Sequence, residues 1–507
     1  MRPRHVGHDA HLFRHPREDR APPRARGAGR AHPPPVVPQG GHRPAGRDHV
    51  EAGRMVSTVA TESPRAPEKK SRRGPKRVIV VGGGIAGVAA ALRLAEEGVR
   101  VTLLETRRKL GGRATSFTDV RTGEVLDNCQ HVAMGCCKNY IDLCRRLGVE
   151  RKIIWRKAIH WVETGGRTSA MRPGALPAPA HFAGSFLAAR FLGWRDKTAI
   201  GRAMLAMRST DRTAWRGRGF GEWLREHGQS ESAVRDFWAP VIVSACNLDV
   251  ERVCAEAALH VFQDGFLAGG RASWIGVSAA PLVELYDPAE MAIRLAGGEL
   301  RLGVSVERLG PDWVETTGGE RLEADRVISA VPFERVSRIV DEGARIADPR
   351  FEKLERIGHS PILGVHLWFD GPVMRLPAAA LVSRPTQWLF RKDSAGARVH
   401  AVISAADEWM GLDEDQIAQR VIEDVRACLP ESRAAKLVRS RAVKEKRATF
   451  ALTPEVQPLR PAPTGPSGVI LAGDYTQTGW PATMEGATIS GYAAAEAAME
   501  KSGMLQI

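Results

Sequence analysis

An α/β fold is predicted by three observations along the 507-residue chain. Four β-branched residues at 78–81 run directly into the turn Gly-Gly-Gly-Ile-Ala-Gly at 82–87. A helix-period segment follows to Glu97, and a second apolar strand ends at Glu105. Near the far end, residues 469–474 read as another buried strand closing on an acid, with an alanine-rich helix after it to about Met499. Strand, glycines, helix, strand and acid in this register make a dinucleotide-binding βαβ unit, so the architecture expected is Rossmann-type.

Each residue of the first unit has a physical task. Gly82 permits the tight turn off the strand, Gly84 lets a pyrophosphate approach the backbone, and Gly87 lets the helix lie close on the sheet. Ile85 and Ala86 open the helix, whose free N–H groups and positive dipole end attract phosphate. Glu105 ends the second strand, where a carboxylate can accept both hydroxyls of an adenosine ribose. An ordinary βα turn would need none of these features together.

The run Lys109-Leu110-Gly111-Gly112-Arg113 resembles the second glycine pair of the FAD-dependent amine oxidase and phytoene desaturase superfamily. That resemblance implies that Gly111, Gly112 and Arg113 lie along the flavin pyrophosphate. It also implies that Gly473 and Asp474 meet the pyrophosphate and ribityl chain. Pro481, Ala482, Thr483 and Met484 would lead the last helix N-terminus to the flavin pyrimidine edge, where N–H groups stabilise negative charge. Residues 297–306 and 324–332 look like the superfamily's middle portion, which would bring the Val306 backbone to the adenine. The expected whole is a discontinuous, glutathione-reductase-like FAD-binding domain (77–135, 285–345 and 440–507) with an interleaved α+β substrate domain (136–284 and 346–439). No attachment motif accompanies Cys129, so the FAD is expected to be noncovalent.

Composition divides the chain. The net charge of +15 would suggest nucleic acid as a partner, but residues 1–76 hold 17 Lys and Arg against 7 Asp and Glu, leaving the rest nearly balanced. No nucleic-acid partner is therefore expected. Residues 1–76 are expected to be a disordered basic tail, in which residues 1–54 are rich in Arg, Pro, His and Gly without apolar periodicity. Translation is expected to start at Met55, the preceding segment being an extended gene model. No apolar segment follows the basic residues to make a secretory signal, and no run of eighteen apolar residues occurs. Seven cysteines without metal spacing read as reduced thiols, with no metal site.

Between the flavin signatures, Asp127-Asn128-Cys129-Gln130-His131 leads to Gly135-Cys136, with Cys129 where the wider superfamily has glycine. This run resembles the hydroxysqualene dehydroxylase family, also called squalene-associated FAD-dependent desaturases. Trp223-Leu224, Phe237-Trp238-Ala239-Pro240, Asn247, Pro281-Leu282 and the run 473–491 are similar too. The resemblance implies reductive removal of the allylic hydroxyl of hydroxysqualene to give squalene, as in hopanoid biosynthesis. Such chemistry needs a proton donor, for which His131 or Asp127 is nominated, and an apolar pocket, for which Gln130, Phe237, Trp238 and Asn247 are nominated. His131 could instead be a core histidine, Asp127 a loop brace, and Phe237 and Trp238 plain core. Gly217-Arg218-Gly219-Phe220-Gly221 lacks a preceding strand, so NADPH is not expected and a separate electron donor is. The alternatives are a carotenoid-type desaturase, a flavin amine oxidase, and a prenyl-lipid escort protein without redox chemistry.

Residues 171–207 place Phe182, Phe186, Leu187, Phe191, Leu192 and Trp194 beside Arg190, Arg195 and Lys197. The spacing suggests an amphipathic helix with an aromatic, cation-flanked face; a helix packed in the core fits as well. Together with an isoprenoid substrate, it predicts a cytoplasmic protein peripheral at the inner membrane surface.

Overall fold

The computed structural model describes residues 77–500; the expected tail, its start at Met55 and residues 501–507 lie outside the described residues. One centre is a five-stranded parallel sheet in the order Glu299–Leu302, Arg100–Glu105, Arg77–Val81, Arg326–Ser329, Ile470–Leu471. Both faces are covered, which explains why these strands are apolar without alternation. Val78, Ile79, Val80, Val101, Leu103, Val327 and Ile328 are fully buried. On one face the helices Ile85–Glu96 and Met484–Met499 pack together through alanines, with Ala89, Ala90, Ala494, Ala495 and Ala498 fully buried. A Cβ on Gly491 would lie 2.3 Å from the Ala86 carbonyl oxygen, so the closeness of the two helices depends on that glycine.

The second centre is a seven-stranded sheet in the order Leu437–Phe450, His359–Phe369, Arg398–Ser404, Trp388–Arg391, Ala378–Leu381, Ile159–Val162, Thr168–Met171. It is antiparallel except where Ala378–Leu381 pairs with Ile159–Val162. Glu414–Cys428 covers it through Ile417, Val421 and Val425. A helical layer between residues 183 and 267 covers the Ile159, Trp161 and Ala380 region. Two π-helical stretches, Val234–Trp238 and Val261–Leu267, interrupt that layer.

The expected boundaries shift in two places. Leu437–Phe450 ladders along His359–Phe369, so the return to the nucleotide half follows that strand instead of starting at 440. Lys138–Arg146, expected in the substrate part, buries Tyr140, Leu143 and Cys144 in the core of the parallel-sheet half. Burial of an amphipathic face decides membership, whichever motif stands nearby.

Residues 171–207 form two helices, Ala183–Ala188 and Trp194–Ser209, parted at Gly193, and not one amphipathic helix. Their aromatic residues do not make an outward face: Phe191 stacks on Trp161 at 4.9 Å and Leu192 is buried. The outward apolar residues are Leu176, Leu187, Trp194 and Leu205. No helix of the described residues is long and apolar enough to cross a membrane.

Candidate active site

The nucleotide half closes around bare backbone. Gly111 N–H donates to the Gly83 carbonyl at 2.9 Å, which sets the second glycine pair beside the first turn. Glu105 accepts from Gly83 N at 2.5 Å and Arg107 N at 2.7 Å, fixing its carboxylate at the strand end. Val304 N donates to the Glu105 carbonyl, and Val306 begins the next strand two residues on.

Two glycines of the turn differ in kind. A Cβ on Gly87 would lie 1.8 Å from the Gly82 carbonyl oxygen, so this glycine is required by helix packing. A Cβ on Gly84 would meet nothing of the protein nearer than the Gly112 Cα at 4.0 Å. Packing does not require glycine at 84. The space above it, at a helix N-terminus without a side-chain cap, is what a pyrophosphate laid against backbone amides needs, and an FAD fits on that ground.

Arg113 joins the distant signatures. Its Nη2 donates to Asp474 Oδ1 at 2.5 Å and its Nη1 to the Ala448 carbonyl at 3.1 Å. Burial opposes the guanidinium charge, but the Asp474 carboxylate outweighs it and holds the Arg113 pKa above its ordinary value. Gly473 N donates to Ser490 on the last helix at 2.9 Å. Thr483 caps that helix by accepting from Gly486 N at 3.1 Å, while Pro481 and Ala482 lead into it and Met484 begins it. Glu485 in its first turn accepts from Asn139 N, Asn139 Nδ2 and Tyr140 N at 3.1, 2.7 and 2.7 Å, capping the helix Lys138–Arg146. The structure thus joins Gly83, Gly111 and Glu105 on one side, and Arg113 and Asp474 on the other, by direct hydrogen bonds.

The loop 127–131 runs from this half to the other. Asn128 Nδ2 donates to the Arg113 carbonyl at 2.7 Å, tying the loop to the flavin signature. Asp127 Oδ1 accepts from Ser116 Oγ at 2.8 Å and Leu282 N at 2.9 Å, and Oδ2 lies 3.2 Å from Lys392 Nζ. Gln130 Oε1 accepts from the same ammonium at 3.1 Å, and Gln130 Nε2 donates to the His131 carbonyl at 3.1 Å. His131 Nδ1 stands 3.3 Å from the Cys129 carbonyl, which can only accept, so Nδ1 carries the proton and Nε2 is bare in the neutral ring. Burial lowers the His131 pKa, which favours that neutral form. Burial also pushes the Cys129 thiol up to about 12, so it is no nucleophile for a flavin.

Behind the loop two imidazoles stack, His366 and His400, with ring centroids 3.9 Å apart. His366 Nε2 donates to the Asp127 carbonyl at 2.9 Å. Burial drives the His366 pKa down to about 4 and that of His400 well below its ordinary value.

Cys129 and Gln130 form one wall of a cavity of about 470 Å³. Its other walls are Phe182, Phe186, Phe237, Phe262 and Phe266 from the helical layer and Trp161, Trp388 and Phe390 from the large sheet. Both π-helical stretches contribute, through Phe237 and through Val261, Phe262, Phe266 and Leu267. No Asp, Glu, Lys, Arg or His lines it; its polar side chains are Gln130, Ser244 and Ser404, beside the Cys129 thiol.

Two predicted pocket residues stand elsewhere. Trp238 is fully buried with its Nε1 donating to Gln229 Oε1 at 2.9 Å, so it packs the helical core. Asn247, in left-handed backbone with φ 54°, clamps three segments through Ser360 O, Thr449 Oγ1 and Ala405 N. Its amide is spent on backbone that would otherwise be unpaired. Lys392, Ser404, Phe262, Phe266, Trp388 and Phe390 carry no motif. Among the described residues no cluster of His, Cys, Asp and Glu could hold a metal.

Residues 85–499 match the profile of the family described as flavin containing amine oxidoreductase. A probable zeta-carotene desaturase of Synechococcus elongatus is 28% identical over 487 residues, covering 84% of this chain and 98% of that protein. The zeta-carotene desaturase of Solanum lycopersicum is 25% identical, covering 86% and 84%. A 15-cis-phytoene desaturase of Synechococcus elongatus is 23% identical, covering 85% and 97%. Among solved structures, an oxidoreductase from Methanosarcina mazei shares the fold with a TM-score of 0.65 at 16% identity, over 83% of this chain and all of that one. Putrescine oxidase bound to putrescine does so with 0.61 at 16%, over 83% and 98%.

Proposed function

Because the chain belongs to the flavin containing amine oxidoreductase family and is an FAD-dependent oxidoreductase, we propose that its substrate is a long isoprenoid hydrocarbon, desaturated in the manner that the names of its relatives state. The observation that carries this reading is the uncharged aromatic cavity. A protonated amine there would lose its water with no carboxylate to replace it, at a cost of several kcal/mol. An apolar polyene loses nothing and gains burial.

Gly82 to Gly87, Glu105, Gly111 to Arg113, Val306, Gly473, Asp474 and Pro481 to Met484 would hold the FAD, which when bound exchanges an electron pair and hydrogen with the substrate. The chain's own residues do the rest. The aromatic walls orient the substrate and exclude water. Asp127, holding a hydroxyl, an amide and an ammonium, braces the loop and does not donate a proton. His131, with Nε2 bare, does not line the cavity, and burial disfavours its protonated form, so it serves the loop and not the reacting atoms. With Gly217–Gly221 leading into a helix and not following a strand, electrons pass to or from a separate partner.

A second reading, dehydroxylation of hydroxysqualene, is favoured by the Asp127–Cys136 run and by the Gln130 amide in an otherwise greasy wall. Anaerobic incubation of oxidised and reduced holoprotein with phytoene, hydroxysqualene and a simple amine distinguishes these. A desaturated product from oxidised protein supports the first reading, and squalene from reduced protein the second. Turnover of the amine alone removes both.

Docking at a membrane surface is part of the same proposal. Leu205 lines the cavity yet is 66% exposed, so the mouth opens beside it. Leu176, Leu187 and Trp194 are exposed in the same stretch of chain, as are Arg172, Arg190, Arg195, Arg202 and Arg208, a greasy and basic set suited to anionic lipid.

A further inference from the structure

We infer that Lys392 is a specificity-determining residue, which acts through Gln130 to make the cavity recognise an oxygen atom on its isoprenoid ligand. Lys392 does not line the apolar cavity; it lines a second, polar cavity of about 310 Å³ with Asp127, His366, Arg391 and Arg398. Its Nζ reaches across the partition to Gln130, which does line the apolar cavity.

The orientation of the Gln130 amide follows from both neighbours. An ammonium can only donate, so it fixes the Gln130 oxygen; the His131 carbonyl can only accept, so it fixes the nitrogen. One N–H of that nitrogen goes to His131, and the oxygen is occupied by a cation. What Gln130 has left is one N–H and one lone pair of its oxygen, and the charge on that oxygen strengthens the N–H as a donor. In a wall otherwise formed by carbon, sulfur, two serine hydroxyls and the indoles of Trp161 and Trp388, a donor strengthened by a cation distinguishes an alcohol, ketone or ether oxygen from a methylene. Ser244 is committed elsewhere, donating to Pro240 O at 2.5 Å and accepting from Trp388 Nε1 at 2.6 Å. Lys392 is therefore a positioning residue, and Asp127 opposite it keeps the ammonium in place.

This inference rests on the isoprenoid reading and sides with its second form, a ligand that carries a hydroxyl, and it is tested by binding. Yellow holoprotein is titrated with geranylgeraniol and with the C20 hydrocarbon of the same skeleton, following quenching of tryptophan emission. Wild type should bind the alcohol about tenfold more tightly, the effect of one charge-assisted hydrogen bond in a buried site. Lys392→Met should bring the ratio of the two Kd values to about one while leaving the hydrocarbon Kd unchanged, since Asp127 keeps Ser116 Oγ and Leu282 N. Lys392→Arg should restore part of the preference. Gln130→Leu should abolish it as completely and serves as the independent variant should Lys392→Met lose its flavin. A preference that survives in Gln130→Leu or in yellow Lys392→Met overturns the inference, as does equal binding of both ligands by wild type. Binding of neither ligand by wild type overturns the isoprenoid reading itself.

Discussion

In the nucleotide half, the stretch from Gly82 to Arg113 shapes its site with backbone against backbone, and a far segment completes it through the Arg113–Asp474 contact. The cavity half draws its wall from side chains scattered between Cys129 and Ser404, on helices and on the large sheet alike. A backbone site tolerates almost no change where it is tight, because no rotamer can relieve a clash. A side-chain site can be resized one residue at a time without unfolding the sheet beneath it. That contrast explains how a fold shared with putrescine oxidase can be kept while the lining of its cavity is changed.

The largest expected effects test the tight half. Gly87→Val should abolish folding, because its side chain would overlap the Gly82 carbonyl, an overpacking cost beyond about 3 kcal/mol. Gly84→Val, whose Cβ meets no protein atom closer than 4.0 Å, should instead fold with near wild-type Tm and be colourless. Thermal melts and the visible spectrum of the two proteins separate a packing glycine from a ligand-facing one. A yellow Gly84→Val protein would refute the placement of the pyrophosphate.

Next comes acid sensitivity at the junction of the halves. His366 titrates near 4 in the fold and near 6.5 unfolded, so the unfolded chain takes up the proton first as pH falls. Its contribution to stability is full above pH 6.5 and is lost progressively down to about pH 4, at up to about 1.4 kcal/mol per pH unit. Denaturant titrations at pH 7 and 4.5 should show wild type losing more stability than His366→Gln over that window. Equal losses would mean the imidazole stack is not held neutral.

A smaller effect is expected from Glu485→Gln. The variant keeps one acceptor oxygen, for Asn139 or for Tyr140, turns an NH2 donor on the other and removes the charge at a helix N-terminus, costing about 2 kcal/mol by chemical denaturation with the flavin retained. Smallest for stability is Trp194→Ser in the exposed greasy and basic set, within about 0.5 kcal/mol. In flotation with phosphatidylglycerol vesicles that variant should nevertheless bind more weakly than wild type; unchanged binding would remove that set from the membrane surface.

Legibility followed the same division. Gly84 and Glu105 were readable because their task is set by neighbours a few positions away and by residue types without substitutes, whereas Arg113 and Asp474, 361 positions apart, were readable by resemblance to the superfamily. Gln130 and Phe237 were readable by resemblance, and both line the cavity. The same resemblance misplaced Trp238 and Asn247, whose partners Gln229, Ser360, Thr449 and Ala405 are set by packing. The helix expected across 171–207 broke at Gly193 because its phenylalanines are drawn inward to the cavity and to Trp161.

By itself, then, the amino-acid order determined the parallel sheet, the FAD and the loop that carries Asp127 to His131, since hydrophobic period and glycine spacing act over short stretches of chain. Only the tertiary structure decided which apolar residues face the cavity rather than the core, and that Lys392 stands between Asp127 and Gln130, more than 260 positions away from either. The physical reason is that an apolar side chain looks the same in sequence whether it meets a ligand or a neighbour. A contact between distant strands has no local sign until the sheets have formed.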